Sequence, residues 1–169
     1  DKTLLAKDIM DNETAAILFT RPRRFGKTLN MTMLQTFFEI PIDGKDTSHY
    51  FKDLAIWQQG EKYRAEQGKY PVIFISFRGI KALDFKENLE DIKKLIGYEY
   101  ERHYYLTESH KIKESDKKTF LKISEGNGSD SDYRNSLLFL SKLLCQHHGQ
   151  KTIVLIDEYD KPLQAAWES

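Results

Sequence analysis

Three short apolar runs punctuate an otherwise mixed chain: AAILFT at residues 15–20, YPVIFISF at 70–77 and TIVLI at 152–156. Each is apolar throughout instead of alternating, which predicts strands buried on both faces. Pro71 is compatible with the second because it stands at the strand entrance. Between these runs the apolar positions recur at helical spacing. Leu4, Leu5, Ile9 and Met10 predict a first helix to about Asp11, capped by Asp1 or Thr3. Leu29, Met33, Leu34, Phe37 and Phe38 predict a helix over 27–40 that stops at Pro41 and the Asp43-Gly44 turn. Residues 45–68 are mixed in pattern. A long charged helix is expected over 83–106, its tyrosines half-buried along one face, followed by the helix-leaning KESDKKTFLKI. The polar SEGNGSDSD reads as a loop, with Asp130 or Ser131 capping a helix through YRNSLLFLSKLLCQHH that Gly149 closes. Strand, helix, strand, helices, strand is the order of an α/β domain with a mainly parallel sheet.

Composition narrows the class. The chain has 169 residues, 40% of them apolar and 12% aromatic, enough for one domain with a proper core. Lys plus Arg and Asp plus Glu are both 26, so no global charge points to a nucleic acid or a membrane. A single cysteine, Cys145, forms no intrachain disulfide; it is expected to be buried, and a reducing compartment such as the cytoplasm is its simplest home. No apolar run approaches the roughly 20 residues that cross a bilayer, and no signal-peptide pattern opens the chain. The start DKTLL without methionine and the end QAAWES lead us to expect the N-terminal part of something longer.

The chemistry concentrates in two motifs. TRPRRFGKT, residues 20–28, ends as a phosphate-binding loop does. In such a loop backbone N–H groups converge on phosphate at a helix start, a lysine reaches the terminal phosphates and a hydroxyl ligates magnesium. Gly26, Lys27 and Thr28 supply these parts in order. Arg21 replaces the usual first glycine, and Pro22 with its stiff φ offers another way to hold the entrance. Arg23 and Arg24 would lie beside the nucleotide's negative charge, pair with acids of a neighbouring subunit or be solvated. A Gly-Lys-Thr triplet alone is weak evidence, and an ordinary turn before a basic helix start is its bland reading. The second motif, IVLIDE at 153–158, puts Asp157 and Glu158 at the end of an apolar strand. Asp157 suits a metal's hydration shell and Glu158 the orientation of an attacking water. Two solvated acids ending a strand are the alternative, but both motifs together favour a shared metal-bound triphosphate.

The segments DKTLL, ILFTRPRRFGKTLNMTMLQTFFEI, PVIFISF and IVLIDEYDKPL closely resemble the bacterial AAA-ATPase-like domain family, and more loosely archaeal ATPases with a Pro-Arg-Arg loop. The likeness covers nearly the whole chain. It implies a P-loop NTPase fold, a three-layer α/β/α sandwich with a mainly parallel sheet, here one domain over 1–169 that stops after the Walker B strand. It implies that the arginine-led loop is a family variant, and that ATP and magnesium are bound. The nucleotide set is then Arg23, Arg24, Phe25, Gly26, Lys27, Thr28 and Leu29, with Thr28 and Asp157 at the metal and Lys27 and Glu158 catalytic. Longer relatives carry a PD-(D/E)XK nuclease-like domain, which is not visible here. The expected activity is a magnesium-dependent ATPase module that drives a conformational change on an unknown protein or nucleic-acid client, compatible with a homo-oligomer and without a membrane partner. A nucleotide-gated switch that hydrolyses little, and a nucleic-acid contact made by RPRRFGK, are the competing readings.

Smaller signals stay open. Cys145, His147 and His148 lie close in sequence, but adjacent helical histidines point apart, so a metal site is not favoured. Asp160 stands near the acidic pair, and residues 1–3 are either helix caps or, as the resemblance suggests, neighbours of the adenine. No Asn-Lys-x-Asp segment for guanine occurs.

Overall fold

The computed structural model describes residues 1–12, 14, 16–18, 26–80 and 85–160, the side chain of Phe85 excepted. The chain divides into two compact units, Asp1–Val72 and Ile73–Ser169.

In the first unit, α1 spans Leu4–Met10, α2 spans Lys27–Phe38 and α3 spans Glu61–Arg64, with short 3-10 turns at Ser48–Tyr50 and Ala55–Gln59. The core forms where α2 presents Asn30, Leu34, Phe37 and Phe38, spaced four, three and one apart on one face. Phe37 meets Phe38 and Phe51 edge-on at 5.1 Å, and Phe38 meets Tyr70 in the same manner at 5.8 Å. This corrects the expected stripe at its start: Leu29 lies outside the buried face and is 71% exposed. After α2 the backbone runs straight into a parallel bridge between Glu39 and Tyr70, with the Tyr70 amide donating to the Phe38 carbonyl at 2.9 Å.

The buried strand expected over 15–20 is not seen at residues 16–18, which are outside any strand and exposed, Leu18 by 64%. An extended run becomes a buried strand only where neighbours fill its ladder and cover its faces, and periodicity cannot see whether they arrive. Residues 15, 19 and 20 lie outside the described residues.

In the second unit, β1 (Val72–Ser76, starting on the last residue of the first unit) pairs in parallel with β2 (Ile153–Asp157) in a two-stranded sheet. Helices α4 (Phe85–Arg102), α5 (Glu114–Ser124), α6 (Asp130–Arg134) and α7 (Ser136–His148) complete it, with 3-10 turns at Phe77–Gly79 and Tyr104–Glu108. Ile73 and Ile75 of β1 join Ile96, Tyr100, Phe120, Ile123, Leu140 and Leu144 in one apolar cluster. The architecture is therefore mixed α/β with a small parallel sheet. Strand β2 departs from expectation: Leu155 and Asp157 are buried while Val154 and Ile156 are exposed. That alternation belongs to a strand covered on one face only.

The helices also refine the reading. The long charged helix ends at Arg102, and its tyrosines are not uniformly half-buried, since Tyr100 is fully enclosed and Tyr98 exposed. Ser129, rather than Asp130 or Ser131, starts the next helix through a capping box: its hydroxyl accepts from the Asp132 amide and the Asp132 carboxylate accepts from the Ser129 amide. The expected single helix is broken at Asn135 into α6 and α7. Gly149 closes α7 in the left-handed region as expected. Cys145 is exposed, against expectation, because α7 buries Leu140, Leu143 and Leu144, and one further residue rotates about 100° away.

Candidate phosphate-binding helix start and acidic strand end

The first unit holds the end of the basic loop. Gly26 caps α2 with φ 73° and ψ 28°, the left-handed conformation that glycine adopts without a Cβ penalty. Its carbonyl already accepts the Asn30 amide at 2.9 Å, so the helix is engaged from its first residue. The remaining first-turn amides of any α-helix point outward at its N-terminus, where the macrodipole is positive. Most helices answer that with a capping hydroxyl or an early acid. This one has no side-chain cap and no acid in its first turn. It has instead Lys27, exposed, and Thr28, half-buried.

A second cation stands beside it. The Nζ of Lys2 lies 3.3 Å from where a Cβ on Gly26 would be. Its neighbours in sequence hold it there. The Asp1 carboxylate accepts the Thr3 amide at 2.8 Å, the Thr3 hydroxyl at 2.7 Å and the Ala55 amide, while Thr3 Oγ1 accepts the Ile56 amide at 3.1 Å. Asp1 and Thr3 thus clamp the chain start to the 3-10 turn, and the residue between them reaches the start of α2. Sequence reading leaves Asp1 to Thr3 open as caps or adenine neighbours; the structure makes them a clamp, and nothing local in the sequence points to Lys2. The amides and positive dipole end of a helix start favour an anion there.

The acids end β2 in the second unit. Asp157 is only 3% exposed and Glu158, half-buried, follows with φ 52°. A β-carbon in that region costs about 1–2 kcal/mol, and such a residue persists where its surroundings hold it. Arg21, Pro22, Arg23, Arg24 and Phe25 lie outside the described residues, as does everything after Asp160. Leu29, exposed on the first turn of α2, is the remaining member of the expected set.

Against this geometry, a family model for AAA-ATPase-like domains, described as "Predicted AAA-ATPase", matches residues 1–169. The chain belongs to the AAA-ATPase-like family. In the same comparisons no curated protein and no solved structure matches it. Membership of the AAA-ATPase-like family implies the use of a nucleotide. No helix among the described residues is long and apolar enough to cross a membrane.

Elsewhere in this AAA-ATPase-like chain, charged and aromatic groups are committed to structure. Glu99 is buried on α4, accepting the Phe74 amide of β1 at 3.0 Å and two nitrogens of Arg102 at 2.6 and 3.1 Å. Burial pushes its carboxyl up, but the bonds from His103, Arg102 and the Phe74 amide outweigh that and hold it below the ordinary glutamate value. The histidines near Cys145 have protein partners: His147 Nδ1 lies 2.7 Å from Ser109 Oγ, and His148 Nε2 lies 2.8 Å from the Tyr105 hydroxyl.

Proposed function

We propose that the chain is an ATP-binding, magnesium-dependent ATPase module that couples nucleotide turnover to a change of shape. The observation that carries this reading is the start of α2: a left-handed glycine and outward amides, with Lys27 on a first turn that holds no acid and the Lys2 side chain close to Gly26. A polyphosphate suits the amides and positive dipole end of such a helix start, and family membership makes ATP the nucleotide in question. With it goes a P-loop NTPase fold over residues 1–169, a three-layer α/β/α sandwich to which β1 and β2 contribute two strands.

In this reading the amides after Gly26 cradle phosphate, and Lys27 and Lys2 bring positive charge to its oxygens. The Thr28 hydroxyl and the Asp157 carboxylate are hard oxygen donors of the kind magnesium takes, and they are the residues that hold it. Magnesium, when bound, neutralises charge on the terminal phosphates. Glu158 orients a water and accepts its proton as the water oxygen bonds to the γ-phosphorus; the bond to the bridging oxygen breaks, and ADP departs with the electron pair. Arg23 and Arg24 add charge beside the phosphates, while Phe25 and Leu29 flank the loop.

The test is Glu158→Gln in the full-length protein. It is expected to bind ATP with unchanged affinity and to lose single-turnover cleavage by a factor of at least about a hundred. Undiminished cleavage removes Glu158 from its role. ATP left intact by the unmodified protein identifies a nucleotide-gated switch instead.

A further inference from the structure

A cavity of about 430 Å³ opens between α4 and α6, wholly within the second unit and lined by none of the residues assigned to the nucleotide. Its wall is apolar. Leu89, Ile92 and Ile96 follow one another three and four residues apart on α4, and the ring of Tyr133 on α6 completes the lining. Ile96 and Tyr133 are buried and anchor the floor in the main core, while Leu89 and Ile92 are half-buried toward the mouth.

The rim carries charge, and most of it is already committed. Lys93 Nζ lies 3.1 Å from Glu90 Oε1 and 3.5 Å from Asp130 Oδ1, and sits over the Tyr133 ring at 5.4 Å from its centroid. Asp130 is thereby answered by Lys93. Arg134 is exposed at the end of α6 and forms no ion pair among the described residues. With Lys93 held by Glu90 and Asp130, the cation left for a ligand is the Arg134 guanidinium.

We propose that this cavity binds a small amphipathic carboxylate, its apolar body against Leu89, Ile92, Ile96 and Tyr133 and its carboxylate on Arg134. The volume falls within the roughly 300–1,000 Å³ of small-molecule sites, and an apolar wall with a single convergent polar group is the usual form of such a site. A guanidinium offers a planar pair of donors that matches a carboxylate edge to edge. A sugar or other polyol would bury hydroxyls against a wall with few partners for them. A cation would meet the Arg134 guanidinium. A partner helix has no groove to lie along, because α6, five residues long, makes only a short wall.

The experiment uses hydrocinnamate, and its uncharged amide as the control, titrated into the whole chain while NMR signals are followed at Leu89, Ile92, Ile96 and Tyr133. Shifts confined to these residues, with the acid binding about fivefold tighter than the amide, are the expected result. Arg134→Gln is exposed and is expected to leave the melting temperature unchanged while bringing the acid down to the affinity of the amide. Equal binding of acid and amide, an unaltered preference in Arg134→Gln, shifts centred elsewhere, or no shifts at millimolar probe each overturn the proposal.

Discussion

Replacing Gly26 by alanine separates the conformational role of this residue from its role toward a ligand, because the chain contains its own control. Gly26 and Gly44 both have φ 73°. A Cβ in that region costs about 1–2 kcal/mol, offset by about 0.5–1 kcal/mol because alanine has less freedom to lose on folding. Either substitution is therefore expected to cost about 1 kcal/mol, a fall in melting temperature of about 2–4 °C for a chain of this size. Their surroundings differ. A Cβ at Gly44 meets no atom within 4 Å, whereas at Gly26 it comes within 3.3 Å of Lys2 Nζ. The lysine stem is flexible and swings aside at little cost to folding, but away from the helix start. Losing one charge-assisted contact to phosphate weakens ATP binding by about 1.5–3 kcal/mol, more than about tenfold. The assay is thermal melting with and without Mg-ATP. At about a hundred times the dissociation constant, ATP stabilises the unmodified chain by about 2.7 kcal/mol. Gly44→Ala should keep that gain, and Gly26→Ala should lose most of it while starting from the same baseline. Equal ATP gains in the two variants refute the phosphate cradle, and a Gly26→Ala chain more stable than the original refutes the left-handed cap.

Three further expectations concern the second unit. Tyr100 is fully buried and its hydroxyl donates to the Ser136 carbonyl at 2.8 Å, so Tyr100→Phe should cost about 1–2 kcal/mol in urea unfolding, and no change would show the bond contributes nothing. Ser129→Ala removes the capping box and should lower stability by about 1 kcal/mol, read as a shift of the urea midpoint at constant slope. His148 is held down to about 4, first by burial and then by the charges of His147, His103 and Lys111, against 6.5 when unfolded. The unfolded state therefore takes up the proton first, so stability is full above about pH 6.5 and declines toward about pH 4. His148→Gln should flatten that part of a melting-temperature profile, and an unchanged profile would assign the decline to other groups.

Some of this architecture was legible because its signals are local. The span of α2, its stop before Pro41, the left-handed Gly149 and the positions of β1 and β2 all follow from patterns within a few residues. The start of α2 was legible for the same reason, since the helix begins at Lys27 as expected, directly after the left-handed Gly26. Burial was read less well. Residues 16–18 and Cys145 look like core and are exposed, and Glu99 looks like surface and is buried. A helix face is decided by what packs against it, and a carboxylate enters a core only where distant donors meet it, as the Phe74 amide meets Glu99.

The sequence by itself determined where α1, α2, β1 and β2 lie and which residue types stand at the strand end, because backbone preference and capping act over a turn or less. Only the tertiary structure decided that Asp1 and Thr3 grip the turn at Ala55 and Ile56, and so bring Lys2 to Gly26. It likewise decided that β2 buries one face and that Glu158 takes a left-handed backbone. The clamp joins groups 54 and 53 positions apart, and no short stretch of chain carries that information.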